Sequence, residues 1–154
     1  MRVLVQRVSE ACVTVDGREI GRIGKGFLLL VGMGEEDVAD GGAALAPMAE
    51  KVINLRVIGD DDEKMNLSLL DTRGEILAIS QFTLHADCRR GRRPSFSKAA
   101  PPAAANELFD RFVEKLRQSG LRVETGEFGA MMQVGLVNDG PVTIWLDSKE
   151  VLPA

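Results

Sequence analysis

Apolar and polar positions alternate through the first part of the chain. Val3, Val5, Val8, Val13 and Val15 are interleaved with polar residues, which predicts strands with one buried face. Asp16-Gly17 predicts a tight hairpin, with residues 20–23 as its return strand. After a second turn at Gly24-Lys25-Gly26, residues 27–31 are uninterruptedly apolar, the pattern of a strand covered on both faces. Gly32-Met33-Gly34 offers a small-residue exit that lacks the Gly-Lys-Ser/Thr ending of a phosphate loop. Helical spacing then takes over. Leu45, Met48, Val52 and Ile53 share one face of a helix capped by Asp37 and running to about Asn54. Pro47 should kink this helix or mark its true start.

Further along, residues 55–58 predict a short strand and Asp60-Asp61-Asp62-Glu63 a solvated turn, since adjacent acids of this kind form exposed loops. Residues 66–70 and 75–79 read as strands around a Thr72-Arg73-Gly74 turn. Residues 99–105 are Pro/Ala-rich and read as loop, with Pro101-Pro102 at the front of a second helix. On that helix Leu108, Phe112 and Leu116 recur every fourth residue beside Phe109 and Val113, and Gly120 ends it. Strands at 121–124 and 142–146 complete a mostly β chain with two main helices, an α+β pattern.

A chain of 154 residues fits a single domain over 1–154, with 147–154 as a tail. Its 45% hydrophobic and 27% charged residues are ordinary for a globular protein. No apolar run approaches the roughly 20 residues of a membrane span, and the strand-like start is unlike a signal peptide. Cys12 and Cys88 lie far apart with no CxxC spacing, so reduced thiols and a cytoplasmic location are expected. One histidine and two cysteines cannot assemble a typical zinc site, and no metal or cofactor is expected. A net charge of −4 argues against broad electrostatic attraction to nucleic acid. It leaves room for a local basic face, and Arg89, Arg90, Arg92, Arg93 and Lys98, interleaved with Gly91, Pro94 and Phe96, suit phosphate contact.

Two stretches carry candidate chemistry. Ser80-Gln81-Phe82-Thr83-Leu84 ends a strand with polar side chains where a core strand would stay apolar. The hydroxyls of Ser80 and Thr83 need a base to become nucleophiles. His85 lies two residues from Thr83, on the same side of an extended strand, but no GxSxG elbow or triad context surrounds the pair. The second stretch, Asn138-Asp139-Gly140-Pro141-Val142-Thr143, interrupts the apolar runs 131–137 and 142–146 and predicts a turn between two strands. Gly140-Pro141 can present two carbonyls as a rigid lip free of N–H donors. These are binding groups without an acid–base pair. They suit a site that orients a substrate carrying its own reactive group, or a protein that is no enzyme.

Together the two stretches resemble the paired signature of the D-aminoacyl-tRNA deacylases. Val5-Gln6-Arg7-Val8, Lys64-Met65-Asn66-Leu67 and Arg93-Pro94-Ser95-Phe96-Ser97-Lys98 extend the likeness in the family's order over nearly the whole chain. The resemblance implies a curved, barrel-like, mostly antiparallel sheet with two main helices, paired as a two-fold homodimer with a cross-subunit active site. It implies hydrolysis of D-aminoacyl-tRNA, and of mischarged glycyl-tRNA, without a cofactor. Gly140 and Pro141, with a cis peptide between them, would reject L-aminoacyl groups sterically inside the partner's pocket, supported by Arg7, Asn138 and Met132. Ser80, Gln81, Phe82 and Thr83 would form the catalytic pocket for the terminal adenosine and the ester. The backbone N–H groups of Ser80, Gln81 and Phe82 would serve as oxyanion donors, and the tRNA 2′-OH would assist attack.

Two competing readings remain at this point. A non-catalytic nucleic-acid-binding module would use the basic loop and be indifferent to Gly140 and Pro141. A Thr83-dependent esterase would act on small esters and need no ribose 2′-OH.

Overall fold

The computed structural model describes residues 1–154. The chain opens with a 14-residue strand, β1 (Arg2–Val15), and turns at Asp16-Gly17, both at positive φ, into β2 (Arg18–Ile23). β3 (Gly26–Gly32) is buried on both faces, as its apolar run predicts. Two helices follow in place of the single one expected: a short α1 (Glu35–Ala39) and then α2 (Leu45–Asn54). Pro47 occupies the first turn of α2, where the preceding backbone has no helical carbonyl for its ring to meet. It marks the helix start rather than a kink.

Between the first helices and the central strand lies a small two-stranded sheet, β4 (Ile58–Gly59) paired with β5 (Met65–Leu67). The strand expected over 66–70 stops early, because Ser68 caps a helical turn, α3 (Leu69–Thr72), in a reciprocal box with Asp71. β6 (Glu75–Ser80) then enters the core, followed by a 3₁₀ turn over Phe82–His85. α4 (Pro102–Arg117) carries Ala105, Leu108, Phe109, Phe112, Val113 and Leu116 on its buried face, with a proline at its first position. Part of the segment expected as loop is therefore already helix. β7 (Val123–Thr125) and the 15-residue β8 (Gln133–Asp147) complete the sheet, and α5 (Ser148–Val151) packs the tail against the core.

The main sheet is mixed. β1 pairs antiparallel with β2, β3 and β8, but β3–β6 and β6–β7 are parallel. β8 covers one edge of β1 over almost its whole length, while β3 and β2 divide the other. β2 packs back against β6 and β7, so the sheet curls into a nearly closed barrel. The helices number five, of which only α2 and α4 are long.

Two apolar cores follow from this curl. Outside the barrel, Phe27, Leu29, Val31, Ile76 and Ala78 meet α2 and α4. Inside it, Leu28, Leu77 and Ile79 meet Val8, Ala11, Val13 and Ile23. Neighbouring residues of β3 and β6 thus face opposite cores, as strand alternation requires. β1 changes its parity: Val3 and Val5 face the helices, whereas Ala11 and Val13 face the barrel. The register shift between Val8 and Glu10 accounts for the change: two residue steps on β1 there face one on β8, and the extra residue turns every later side chain to the other face. No helix is long and apolar enough to cross a membrane.

Candidate active site

A cleft of about 780 Å³ opens where β6 ends. Its wall on one side is Ser80, Gln81, Phe82 and Thr83, the first polar stretch singled out in the sequence. Opposite stand the start of α4, through Pro101, Pro102 and Ala105, and the segment from Phe128 to Val134 that leads into β8. Phe96 closes the rim against Phe82, edge to face with centroids 5.0 Å apart. The cleft is mostly apolar with a few polar groups at one end, the usual make-up of a small-molecule site.

The polar end is shaped by the 3₁₀ turn, and the strand geometry expected for Thr83 and His85 does not hold. Thr83 Oγ1 accepts a 2.5 Å bond from Gln81 Nε2, while His85 Nε2 lies 3.0 Å from the Gly32 carbonyl. The histidine is thus committed to β3 rather than to Thr83. Burial pushes its pKa below the ordinary 6.5, against the opposing pull of the Gly32 carbonyl. Gly32 and Gly34 make room for the ring: a Cβ on Gly34 would sit 2.9 Å from His85 Cε1. Among the expected oxyanion donors, the Gln81 N–H is already taken, since it closes the β3–β6 ladder on the Val31 carbonyl at 2.8 Å. Phe82 and Thr83 lead the 3₁₀ turn, so no carbonyl within it reaches their N–H groups.

The second stretch is not a turn between strands. β8 runs straight through it, with Asn138 opposite Val8 and Thr143 opposite Gln6. Two residue steps on β1 therefore face five on β8, and the surplus loops out at Asp139-Gly140-Pro141. The Gly140-Pro141 peptide is cis, and Gly140 has φ +133°. Polar bonds clamp the loop at its base. Arg7 Nε donates to the Asp139 carbonyl at 3.0 Å and Arg7 Nη1 to the Val57 carbonyl at 2.7 Å. Asn138 accepts from the Val142 N–H at 3.0 Å and donates to Thr143 Oγ1 at 2.8 Å. Arg7, Asn138 and Thr143 are thus brought together at the base of the loop. Met132 lies apart from them and lines the cleft, with its sulfur against Gly126.

Gly140 and Pro141 are exposed and take no part in the cleft of their own chain. Val134 lines the cleft, and Asn138 lies four strand residues beyond it, on the order of 13 Å away. β8 pairs only with β1, so its outer edge is free, and Val137 and Trp145 on this strand are 51% and 43% exposed.

The basic loop divides in two. Arg89 pairs with Asp87 at 2.7 Å and holds that carboxyl well below the ordinary carboxylate range. Arg89 and Lys98 line a separate hollow with Arg2, whereas Arg90, Arg92 and Arg93 stand exposed outside it. Of the cleft's opposite wall at 128–134, sequence reasoning singled out only Met132, because the other residues carry no motif of their own.

A family model described as D-Tyr-tRNA(Tyr) deacylase matches residues 4–147. The chain belongs to this family. A relative from Roseiflexus castenholzii named D-aminoacyl-tRNA deacylase is 60% identical over 148 residues, 96% of this chain and 92% of that protein. One of the same name from Thermosipho africanus is 54% identical over 98% of this chain and 99% of its own. Among solved structures, a c-Myc DNA unwinding element binding protein superposes with a TM-score of 0.87 at 42% identity, covering 96% of this chain and 98% of that one. A probable eukaryotic D-amino acid tRNA deacylase shares the fold, with a TM-score of 0.80 at 18% identity over 94% of this chain and 97% of its own. Family membership agrees with the motifs at 80–84 and 138–143, which lie within the matched residues.

Proposed function

We propose that this protein is a cytoplasmic, single-domain editing esterase that hydrolyses D-aminoacyl-tRNA, and mischarged glycyl-tRNA, to free amino acid and tRNA. Water attacks the ester carbonyl carbon, the bond to the ribose oxygen breaks, and that oxygen leaves with a proton. The terminal adenosine and the ester lie in the cleft beside residues 80–83. N–H groups at the head of the 3₁₀ turn receive the developing oxyanion. The neighbouring 2′-OH of the substrate assists attack. The observation that carries this reading is a cleft lined by no acid or base: the chain's one histidine, His85, lies outside it and is bonded to the Gly32 carbonyl, and Thr83 Oγ1 already accepts from Gln81.

Selectivity in this reading comes from a second copy of the chain. Two protomers pair about a two-fold axis, and each lends its Gly140-Pro141 loop to the other's cleft. Support comes from the loop's exposure, its distance from its own cleft, and the free edge and exposed Val137 and Trp145 of β8. The loop's carbonyls crowd the substrate's Cα so that an L side chain collides and a D side chain points outward, which rejects the wrong enantiomer without reading the right one.

The test is deacylation of matched D- and L-aminoacyl-tRNA by wild type and Thr83→Ala. Release of the D form alone, retained in the variant, is expected. Loss of activity in a folded variant would move catalysis to the Thr83 hydroxyl. No hydrolysis of either form by wild type would sink the reading and leave a nucleic-acid-binding module.

A further inference from the structure

Beside the cleft lies a hollow of about 260 Å³ lined by Arg2, His85, Ala86, Asp87, Arg89 and Lys98, among others. Two chain segments separate it from the cleft, and each borders both spaces. The first runs from Phe82 and Thr83 on the cleft to His85 and Asp87 on the hollow. The second carries Phe96 and Ala99 on the cleft and Lys98 on the hollow. They are bridged by reciprocal backbone bonds between Asp87 and Ser95, and the Ala99 N–H closes a tight turn on the Phe96 carbonyl that presents Lys98. From Thr83 to His85 is two residues of a 3₁₀ turn, a rise of about 4 Å. The hollow therefore opens within about one nucleotide's length of the cleft.

Its charge is unbalanced. Asp87 is the one carboxylate lining it, and Arg89 neutralises that group. Lys98 is exposed and forms no ion pair. Arg2 is held rigidly: Nε bonds Asp147 at 3.1 Å, Nη1 bonds the Leu84 carbonyl at 2.8 Å, and the guanidinium lies 5.4 Å from the Trp145 ring centre. Its Nη2 remains uncommitted. A second hollow across Arg2, His85 and Lys98 is charge-balanced instead, with Glu35, Glu36, Asp37 and Asp147 set against Arg2, Lys98, Lys149 and the Met1 ammonium. Only the first hollow suits an anion.

We propose that this hollow is a phosphodiester subsite in which Lys98 and Arg2 hold a backbone phosphate of the single-stranded 3′ end, next to the terminal nucleotide in the cleft. The proposal rests on the editing reading above and adds to it a place for the strand that leads to the ester. A fixed guanidinium and a mobile ammonium are the groups that take such a phosphate, positioning the strand without reading its sequence.

The experiment compares kcat/KM for D-aminoacyl-tRNA with that for the D-aminoacyl ester of adenosine, which has no upstream phosphate, across a salt series. The proteins are wild type, Lys98→Gln, Lys98→Arg and, as a remote control on β2, Arg18→Gln. Lys98→Gln is expected to lower the tRNA-to-adenosine ratio about tenfold through KM. It should also make the log–log salt slope shallower by about 0.7. Lys98→Arg should restore both, and Arg18→Gln should follow wild type. The subsite is overturned if Lys98→Gln keeps the wild-type ratio and slope, loses both substrates alike, or behaves like Arg18→Gln. Wild type that hydrolyses neither ester overturns the editing reading, and the subsite with it.

Discussion

The two polar stretches of the chain are held in opposite ways. Residues 80–83 continue a strand whose Leu77 and Ile79 are buried in the barrel, and their position follows from that packing. Residues 138–143 bulge from a strand with a free edge, and they are held by a hydrogen bond from Arg7 to the Asp139 carbonyl and by those of Asn138 with Val142 and Thr143. Apolar packing is shared among many atoms and gives stability. A loop clamped by a few hydrogen bonds contributes little stability, yet its geometry depends on each of them. Substitutions in the first region should therefore move stability, and those in the second should move activity at nearly constant stability.

The largest effect should come from Ile79→Ala, which removes a buried side chain beneath the cleft. A loss of about 2–5 kcal/mol is expected in denaturant unfolding. If the cleft region is held by packing, activity per folded molecule should fall less steeply than stability. Gly140→Ala reverses the pattern. Its Cβ would lie 2.8 Å from Val142 Cγ2 and 3.1 Å from Arg7 Nη2, at a φ that L residues rarely adopt. Displacement of the loop by such a contact should cut D-aminoacyl-tRNA hydrolysis about a hundredfold. Its Tm should fall by only a few degrees. Equal losses in both properties would erase the distinction between the regions.

A smaller effect is expected of Asn138→Ala, which frees the Val142 N–H and the Thr143 hydroxyl. About 1 kcal/mol of clamp is lost. Single-turnover deacylation should slow about tenfold while the unfolding midpoint stays within a few degrees. The smallest effect is one of pH. Burial first, and the positive charge of Arg2 to a lesser degree, lowers the His85 pKa below 6.5. The folded protein then holds this ring neutral where the unfolded chain protonates it. The resulting stability is fully present above about pH 6.5 and is lost as pH falls through the depressed folded value. His85→Gln should flatten Tm against pH in that window. A wild-type Tm that is level there would remove the half-buried histidine from the first region's support.

Much of this molecule was legible along the chain. The valine spacing of β1 announced a strand with a buried face, although its parity break, which puts Val8 and Val13 in the same core at an odd separation, emerged only from the pairing with β8. The uniformly apolar 27–31, the Asp16-Gly17 hairpin and the buried stripe of α4 each came from local periodicity or turn chemistry. The errors share a cause. Residues 138–143 have the composition of a turn, and only their pairing with Gln6 and Val8 makes them a bulge in a continuous strand. The 80–84 stretch has the composition of a strand, but the ladder ends at Gln81 and the chain coils into a 3₁₀ turn.

The alternation of side chains thus specified which residues face inward, because that pattern is local and repeats every second residue. It left open which strand lies beside which. Parallel pairing of β3 with β6, the curl that brings β2 to β7, and the hollow joining Arg2 to Lys98 all depend on contacts between residues far apart in the chain. Such contacts form only when backbone hydrogen bonds and two buried cores are satisfied together, and no short window of sequence contains both partners.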